Sequence, residues 1–167
     1  MKTRKGFTLI ELVVAVFIFS TLVVVAGGSF IGALNMQRRA LDAKKTEENG
    51  RFILESISRE IRVANPINTA DSGCPGPTLL SFQHPVNGLI EYFISGSQIH
   101  RRINGADTVI SSPDIIVSRL NFCISGNSSG DDKQPRVTII LGLSSGGAAQ
   151  SDAFDLETTV SQRVLSD

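Results

Sequence analysis

The chain has no tryptophan, one tyrosine, two histidines and two cysteines in 167 residues, and its formal charge sums to zero. Each scarcity excludes something. His84 and His100 have no His-x-x-x-His spacing, and the cysteines have no Cys-x-x-Cys spacing, so no zinc-site pattern is present. Sixteen basic side chains balanced by sixteen acidic ones leave no footprint for nucleic acid. No cofactor and no metal is expected. A body without Trp, rich in Ser, Gly, Asn, Ile and Val, points to a modest core of β character. No internal repeat is apparent. Charge is also missing locally: between residues 7 and 34 the one charged side chain is Glu11.

That charge-poor run is the most informative stretch of the chain. A bilayer needs about 20 apolar residues in a helix, and the run exceeds that. It follows the short basic segment Met1-Lys-Thr-Arg-Lys-Gly6. Positive charge stays cytoplasmic, so Lys2, Arg4 and Lys5 place the body after residue 35 outside the cytoplasm. A carboxylate in a membrane helix costs roughly 2.5–3.5 kcal/mol on insertion scales, so Glu11 needs a partner.

Gly6-Phe-Thr-Leu-Ile-Glu-Leu12 after a basic leader resembles the class III signal of the type IV pilin and type II secretion pseudopilin superfamily. The motif asks for Gly before the apolar run and an acid five residues into the mature chain. The resemblance implies cleavage between Gly6 and Phe7 by a prepilin peptidase, which then methylates the new amino group of Phe7. It implies that Glu11 acts in assembly, neutralising the Phe7 amine of a neighbouring subunit. Mis-set helices would leave both charges unpaired in an apolar core, so this pairing can set axial register. The partners implied are other pilin or pseudopilin subunits, the peptidase, the inner membrane and its assembly platform. Removing Lys2, Arg4 and Lys5 with the leader takes three of the sixteen basic residues and leaves the mature chain at −3.

The remaining residues are read independently. Gly27-Gly28 interrupts the apolar run, and each Gly costs roughly 0.5–1 kcal/mol against Ala in a helix. Gly28 and Gly32 form a small-xxx-small pattern. These glycines are either tolerated near the membrane surface or a flexible point in a filament helix. From residue 35 to 65 the pattern is amphipathic, with Leu54, Ile57, Ile61 and Ala64 on one face and Ile53 adjacent. Glu47/Arg51 and Glu55/Arg59 are solvated pairs in the favoured order. Gly50 is expected to weaken the middle, and Asn65-Pro66 to stop the helix. Strands are expected over residues 78–84, 89–94, 98–103, 108–110, 115–124, 136–143 and 153–160, with Asn87-Gly88 and Asn104-Gly105 as turns. In the last strand Phe154, Leu156, Thr158 and Val160 share a face.

The expected fold is α+β: a long N-terminal helix on an antiparallel β-sheet, as in pilins. The divisions are a leader over 1–6, a transmembrane or filament-core helix over 7–34, its amphipathic half over 35–65, and a β head domain over 66–167. The meander, the Arg-Arg-Ile-Asn-Gly turn at 101–105 and the closing strand resemble J-class minor pseudopilins and related minor pilins. Cys74 and Cys123 are natural disulfide partners in an exported domain. Closing that loop of about fifty residues contributes roughly 4 kcal/mol in the chain-entropy model. The alternative is two unpaired buried thiols.

Other patterns carry less. Gly142-Leu-Ser144-Ser-Gly146 copies a nucleophile elbow, but the residues after it are small and polar where an elbow needs a helix, and no His follows. No catalytic residue and no enzyme activity is expected. Asn127, Asp131 and Asp132 have oxygen ligands but not EF-hand spacing, and read as a solvated hairpin loop, with a calcium-binding loop as the alternative. Arg101 and Arg102 are adjacent on a strand and so point to opposite faces, one of which is a candidate interaction surface. The functional expectation is a minor pilin or pseudopilin, with a major pilin as the rival of the same class. Two rivals come from other classes. One is a secreted protein cut after Ala26, where Val24-x-Ala26 suits ordinary signal peptidase. The other is a permanently anchored extracytoplasmic binding or sensor domain.

Overall fold

The computed structural model describes residues 6–128, 133–146 and 153–163. One helix and seven strands follow in order: α1 Leu9–Val63, β1 Leu80–His84, β2 Gly88–Ser95, β3 Gln98–Ile103, β4 Ala106–Val109, β5 Ile115–Ser125, β6 Arg136–Ser145 and β7 Ala153–Ser161. The chain divides into two units, Met1–Leu41 and Asp42–Asp167.

Within the first unit, the helix runs unbroken through Gly27, Gly28 and Gly32, and no side chain from residue 6 to 41 is buried. A Cβ at any of those three glycines would meet nothing within 4 Å. The hydroxyls do not break the apolar surface. Ser20 Oγ donates to the Val16 carbonyl at 2.7 Å, and Thr21 Oγ1 to that of Ile18 at 2.8 Å. Each is satisfied by its own helix, as a hydroxyl on an apolar surface must be where water is excluded.

Within the second unit, α1 buries Thr46, Gly50, Ile53, Leu54, Ile57, Ser58 and Ile61. Their three-and-four spacing is one face of a 3.6-residue helix. Gly50 does more than weaken the helix. A Cβ there would lie 2.5 Å from methyl groups of both Leu143 and Leu156, so its bareness lets the helix approach β6 and β7. The expected surface pairs form: Arg51 to Glu47 at 2.7 Å and Arg59 to Glu55 at 2.6 Å. The helix ends at Val63, just before Asn65-Pro66.

The strands make two antiparallel sheets rather than the single sheet expected from sequence: β1-β2-β3-β4 and β5-β6-β7. The meander reading holds inside each sheet. What alternation could not reveal is the break between β4 and β5: β4 is exposed along its whole length and carries no buried face to mark where the first sheet ends. One core spans both sheets and the helix. It joins Ile57 and Ile61 to Phe82, Ile90 and Tyr92 of the first sheet and to Phe122, Ile139 and Leu141 of the second. A register shift at Ser118 explains the pattern of β5: Ile115 and Val117 point inward before it, Leu120, Phe122 and Ile124 after it. In β7 Val160 is buried and Phe154, Leu156 and Thr158 are half-buried, while their neighbours are exposed. Two hairpins close through left-handed residues, Gly96-Ser97 (φ 57 and 62) and Asn104-Gly105 (φ 48 and 90).

The segment between helix and β1 protects two sheet edges. Residues 65–69 line the outer edge of β1, with Asn65 N–H donating to Gln83 O at 2.9 Å and Asn68 N–H to Ser81 O at 2.8 Å. Residues 72–77 then line β5: Ser72 N–H donates to Ile124 O, and Phe122 N–H to Pro77 O, both at 2.9 Å. An unpaired edge is a template for unwanted strand addition, and this strap removes it. The disulfide Cys74–Cys123 locks it, with Cα atoms 5.2 Å apart. Asn127 adds two bonds from its Nδ2, to Ile67 O and Thr69 O, each at 2.9 Å.

Candidate functional site

The region to be explained is residues 6–34. Leu9, Ile10, Leu12, Phe17, Phe19, Val24 and Phe30 are all more than 60% exposed in the isolated chain. Burial is worth about 25 cal/mol per Å² of apolar surface, so a helix of this kind needs a lipid or protein environment. Its most apolar 18-residue window has a mean hydropathy of 2.8, long and apolar enough to cross a membrane.

The start of this helix is built by two side chains. Thr8 is the N-cap and Glu11 the third helical residue. Glu11 N–H donates to Thr8 Oγ1 at 3.4 Å, while Glu11 Oε2 accepts from both Thr8 N–H and Thr8 Oγ1 at 2.9 Å. This reciprocal pattern is a capping box, and it satisfies helix-end donors that would otherwise be left in an apolar setting. The negative charge also sits at the positive end of the helix dipole. The sequence reading assigned Glu11 to assembly and missed this second role. The signal was available, since Thr8-Leu-Ile-Glu11 fits the Ser/Thr-x-x-Glu capping pattern.

Ahead of the cap, Gly6 and Phe7 lie outside the helix and are exposed, Phe7 at 89%. A Cβ on Gly6 would meet nothing within 4 Å, so its own fold does not require a glycine there. Lys2, Arg4 and Lys5 lie outside the described residues.

The other residues singled out from sequence have structural partners. Arg101 and Arg102 point to opposite faces, as expected. Arg101 joins Glu60 of the helix, and Tyr92 Oη donates to Glu60 Oε2 at 2.5 Å. Burial first, and then the Glu60 hydrogen bond, push the Tyr92 phenol above its ordinary value of 10.0. This polar triad inside the helix–sheet contact was not foreseen. Arg102 lies on the outer face, 4.4 Å above the Phe93 ring and 3.2 Å from Glu91. His100 stacks on Phe93 and contacts Asp107 at 3.0 Å. His84 Nδ1 accepts from Val86 N–H and Asn87 N–H, capping its own turn. Ser144 lies within β6, not on a strand-to-helix elbow. Asn127 is occupied with the strap, and Asp131 and Asp132 lie outside the described residues. Among the described residues no group of three or more His, Cys, Asp or Glu side chains is placed to hold a metal ion.

No curated protein matches the chain, and no solved structure matches it. Residues 1–27 match a family model described as the prokaryotic N-terminal methylation motif. The match covers the basic leader, Gly6-Phe7, the Thr8–Glu11 cap and most of the apolar run, and it supports a type IV pilin or pseudopilin-like subunit processed by prepilin peptidase.

Proposed function

We propose that this chain is a structural subunit, a minor pilin or pseudopilin, of a type IV pilus or type II secretion-like filament. The observation that carries the reading is the N-terminal arrangement: an exposed Gly6-Phe7 bond, a capped helix start, and an apolar helix with no buried side chain up to residue 41. A soluble enzyme has no use for such a helix. The precursor sits in the inner membrane as a single-pass protein with its body extracytoplasmic. Prepilin peptidase cuts between Gly6 and Phe7 and methylates Phe7. The apolar helix then exchanges lipid for neighbouring subunits at the assembly platform, and Glu11 meets the Phe7 amine of a neighbour. Minor status rests on the resemblance of the body to J-class subunits.

The test is the mass of the mature N-terminus. The wild-type chain should begin at N-methyl-Phe7. Gly6→Val should accumulate as a membrane-bound precursor with a normally folded body, because nothing in its own fold contacts that position. A Gly6→Val chain that still matures at Phe7 refutes the reading. So does a wild-type chain that starts at Gly27, the product of ordinary signal peptidase, or one that is never cut.

A further inference from the structure

The second unit carries opposite, complementary ends. At one end lies a cleft of about 690 Å³ between the helix, the β4–β5 loop and the end of β6, lined by Asp42, Lys45, Glu48, Phe52 and Asp114 among others. Its chemistry is acidic with one apolar anchor. Phe52 is 63% exposed on the solvent side of a helix segment whose Ile53, Leu54, Ile57 and Ile61 face the core. Asp42 and Asp114 have no ion-pair partner among the described residues, and Glu48 is met only by Lys44 at 3.6 Å. Lys45 is the cation of this lining, so carboxylates are in excess.

The other end is arginine-bearing. Arg163 N–H donates to Arg62 O at 2.9 Å, and Arg136 pairs across the ladder with Ser161, two residues earlier. Three exposed guanidiniums thus gather at one corner, and among the described residues none has a side-chain partner. The carboxylates described nearby are engaged: Asp71 accepts from Asn127 N–H and Ser128 Oγ, and Glu60 holds Arg101 and Tyr92. Two exposed apolar residues flank the corner, Val63 and, at the tip of the β1–β2 turn, Val86. Asn65 N–H bonded to Gln83 O fixes that turn beside the helix end. The two ends are separated by the helical rise from Asp42 to Arg62, about 30 Å.

We propose that the arginine-bearing end of one copy of this chain docks against the acidic Phe52 cleft of the next, making a head-to-tail contact that repeats along an axis. The argument is complementarity. Two carboxylates and a proud Phe face three guanidiniums and two proud valines, with none of these charged side chains ion-paired among the described residues, and arginine forks suit carboxylates. A two-fold contact through either end alone would oppose like charges, whereas a heterologous one pairs them and continues indefinitely. A copy that docks through one end leaves its other end free for the next copy. This inference rests on the filament-subunit reading and needs copies of this chain in successive positions, so it holds for a subunit that lines the filament and fails for one confined to its tip.

The experiment uses the full chain expressed in cells that assemble the filament. Three variants are compared with wild type: Arg62→Glu with Arg163→Glu, Asp42→Arg with Asp114→Arg, and all four together. Each double reversal should lower the share of chain recovered in sheared filaments at least fivefold. The quadruple variant restores opposite charges at every copy–copy contact and should recover to within twofold of wild type. Arg62, Asp114 and Arg163 are exposed and Asp42 is half-buried, so the thermal midpoint of the body should change little and a folding defect would be visible. Doubles that assemble as wild type, or a quadruple no better than the doubles, overturn the contact while leaving the filament reading intact. A wild-type chain that never enters filaments overturns both.

Discussion

Removing the Cys74–Cys123 bond tests how the strap is held. The bond spans 49 residues of sequence. For a loop of that size the chain-entropy relation gives about 14 cal/mol/K, or about 4 kcal/mol at room temperature. Native domains have a total of about 5–15 kcal/mol, so this is a large share. The loop contains β1 to β4 and most of β5, so an unlinked denatured chain gains freedom across the whole first sheet. The folded strap retains other ties. Asn121 Nδ2 donates to Gly76 O at 2.7 Å, and Ser72 and Pro77 keep their ladder bonds to Ile124 and Phe122. The double variant Cys74→Ala/Cys123→Ala should therefore fold with the strap in place, yet unfold at a midpoint lower by about 10–20 °C, given a few degrees per kcal/mol for a domain of this size. Alanine is the right replacement because Cys123 is 7% exposed and a serine would bury a hydroxyl. Circular dichroism melts of the variant and of reduced wild type should coincide. A drop of less than about 1 kcal/mol would show that the denatured chain is already constrained, and the entropy argument would fail.

Gly76→Ala should destabilise the same strap, by about 1–3 kcal/mol, because its Cβ would stand 1.9 Å from the backbone oxygen of Phe122. Gly73→Ala, three residues away with nothing within 4 Å, should be close to neutral, and urea titrations of the two side by side decide it. Tyr92 predicts an alkaline effect. Its folded pKa is raised above the unfolded value of 10.0, so the stability it contributes is fully present below pH 10 and lost as pH rises beyond it. Wild type should therefore lose stability faster than Tyr92→Phe between pH 9.5 and 11, and parallel pH profiles of the two melts would refute the buried-phenol account.

Much of this was legible in the sequence because the signals were local. The apolar run, the leader, the face Leu54–Ile57–Ile61–Ala64 and the turns at Asn87-Gly88 and Asn104-Gly105 are each written within a dozen residues. So was the outward and inward split of Arg101 and Arg102, since adjacent strand residues must alternate. What stayed hidden depends on partners distant in the chain. Gly50 reads as a weak point until Leu143 and Leu156 are seen against it. Nothing local marks Glu60, because Tyr92 and Arg101 arrive from strands 32 and 41 residues later. The second sheet stayed hidden for the same reason. A meander continues or breaks according to which edge the loop before β5 leaves free, and that edge is decided by the strap, fifty residues upstream.

Glu11 joins these two kinds of information. Its capping bonds to Thr8 are local, and they answer how a carboxylate can sit at the head of an apolar helix before any neighbour exists. Leaving that carboxylate unsatisfied would cost several kcal/mol. The cap supplies two donors from one adjacent residue and keeps the charge on the favourable end of the helix dipole. In the proposed filament, the Phe7 amine of a neighbour brings a full positive charge to the same oxygens. A carboxylate has about four lone-pair sites and the cap uses two of them, so the neighbour's amine can be accepted without breaking the cap. In that proposal two requirements fall to different contacts: Thr8 holds the helix start, and the remaining capacity of Glu11 is left for the neighbour's amine.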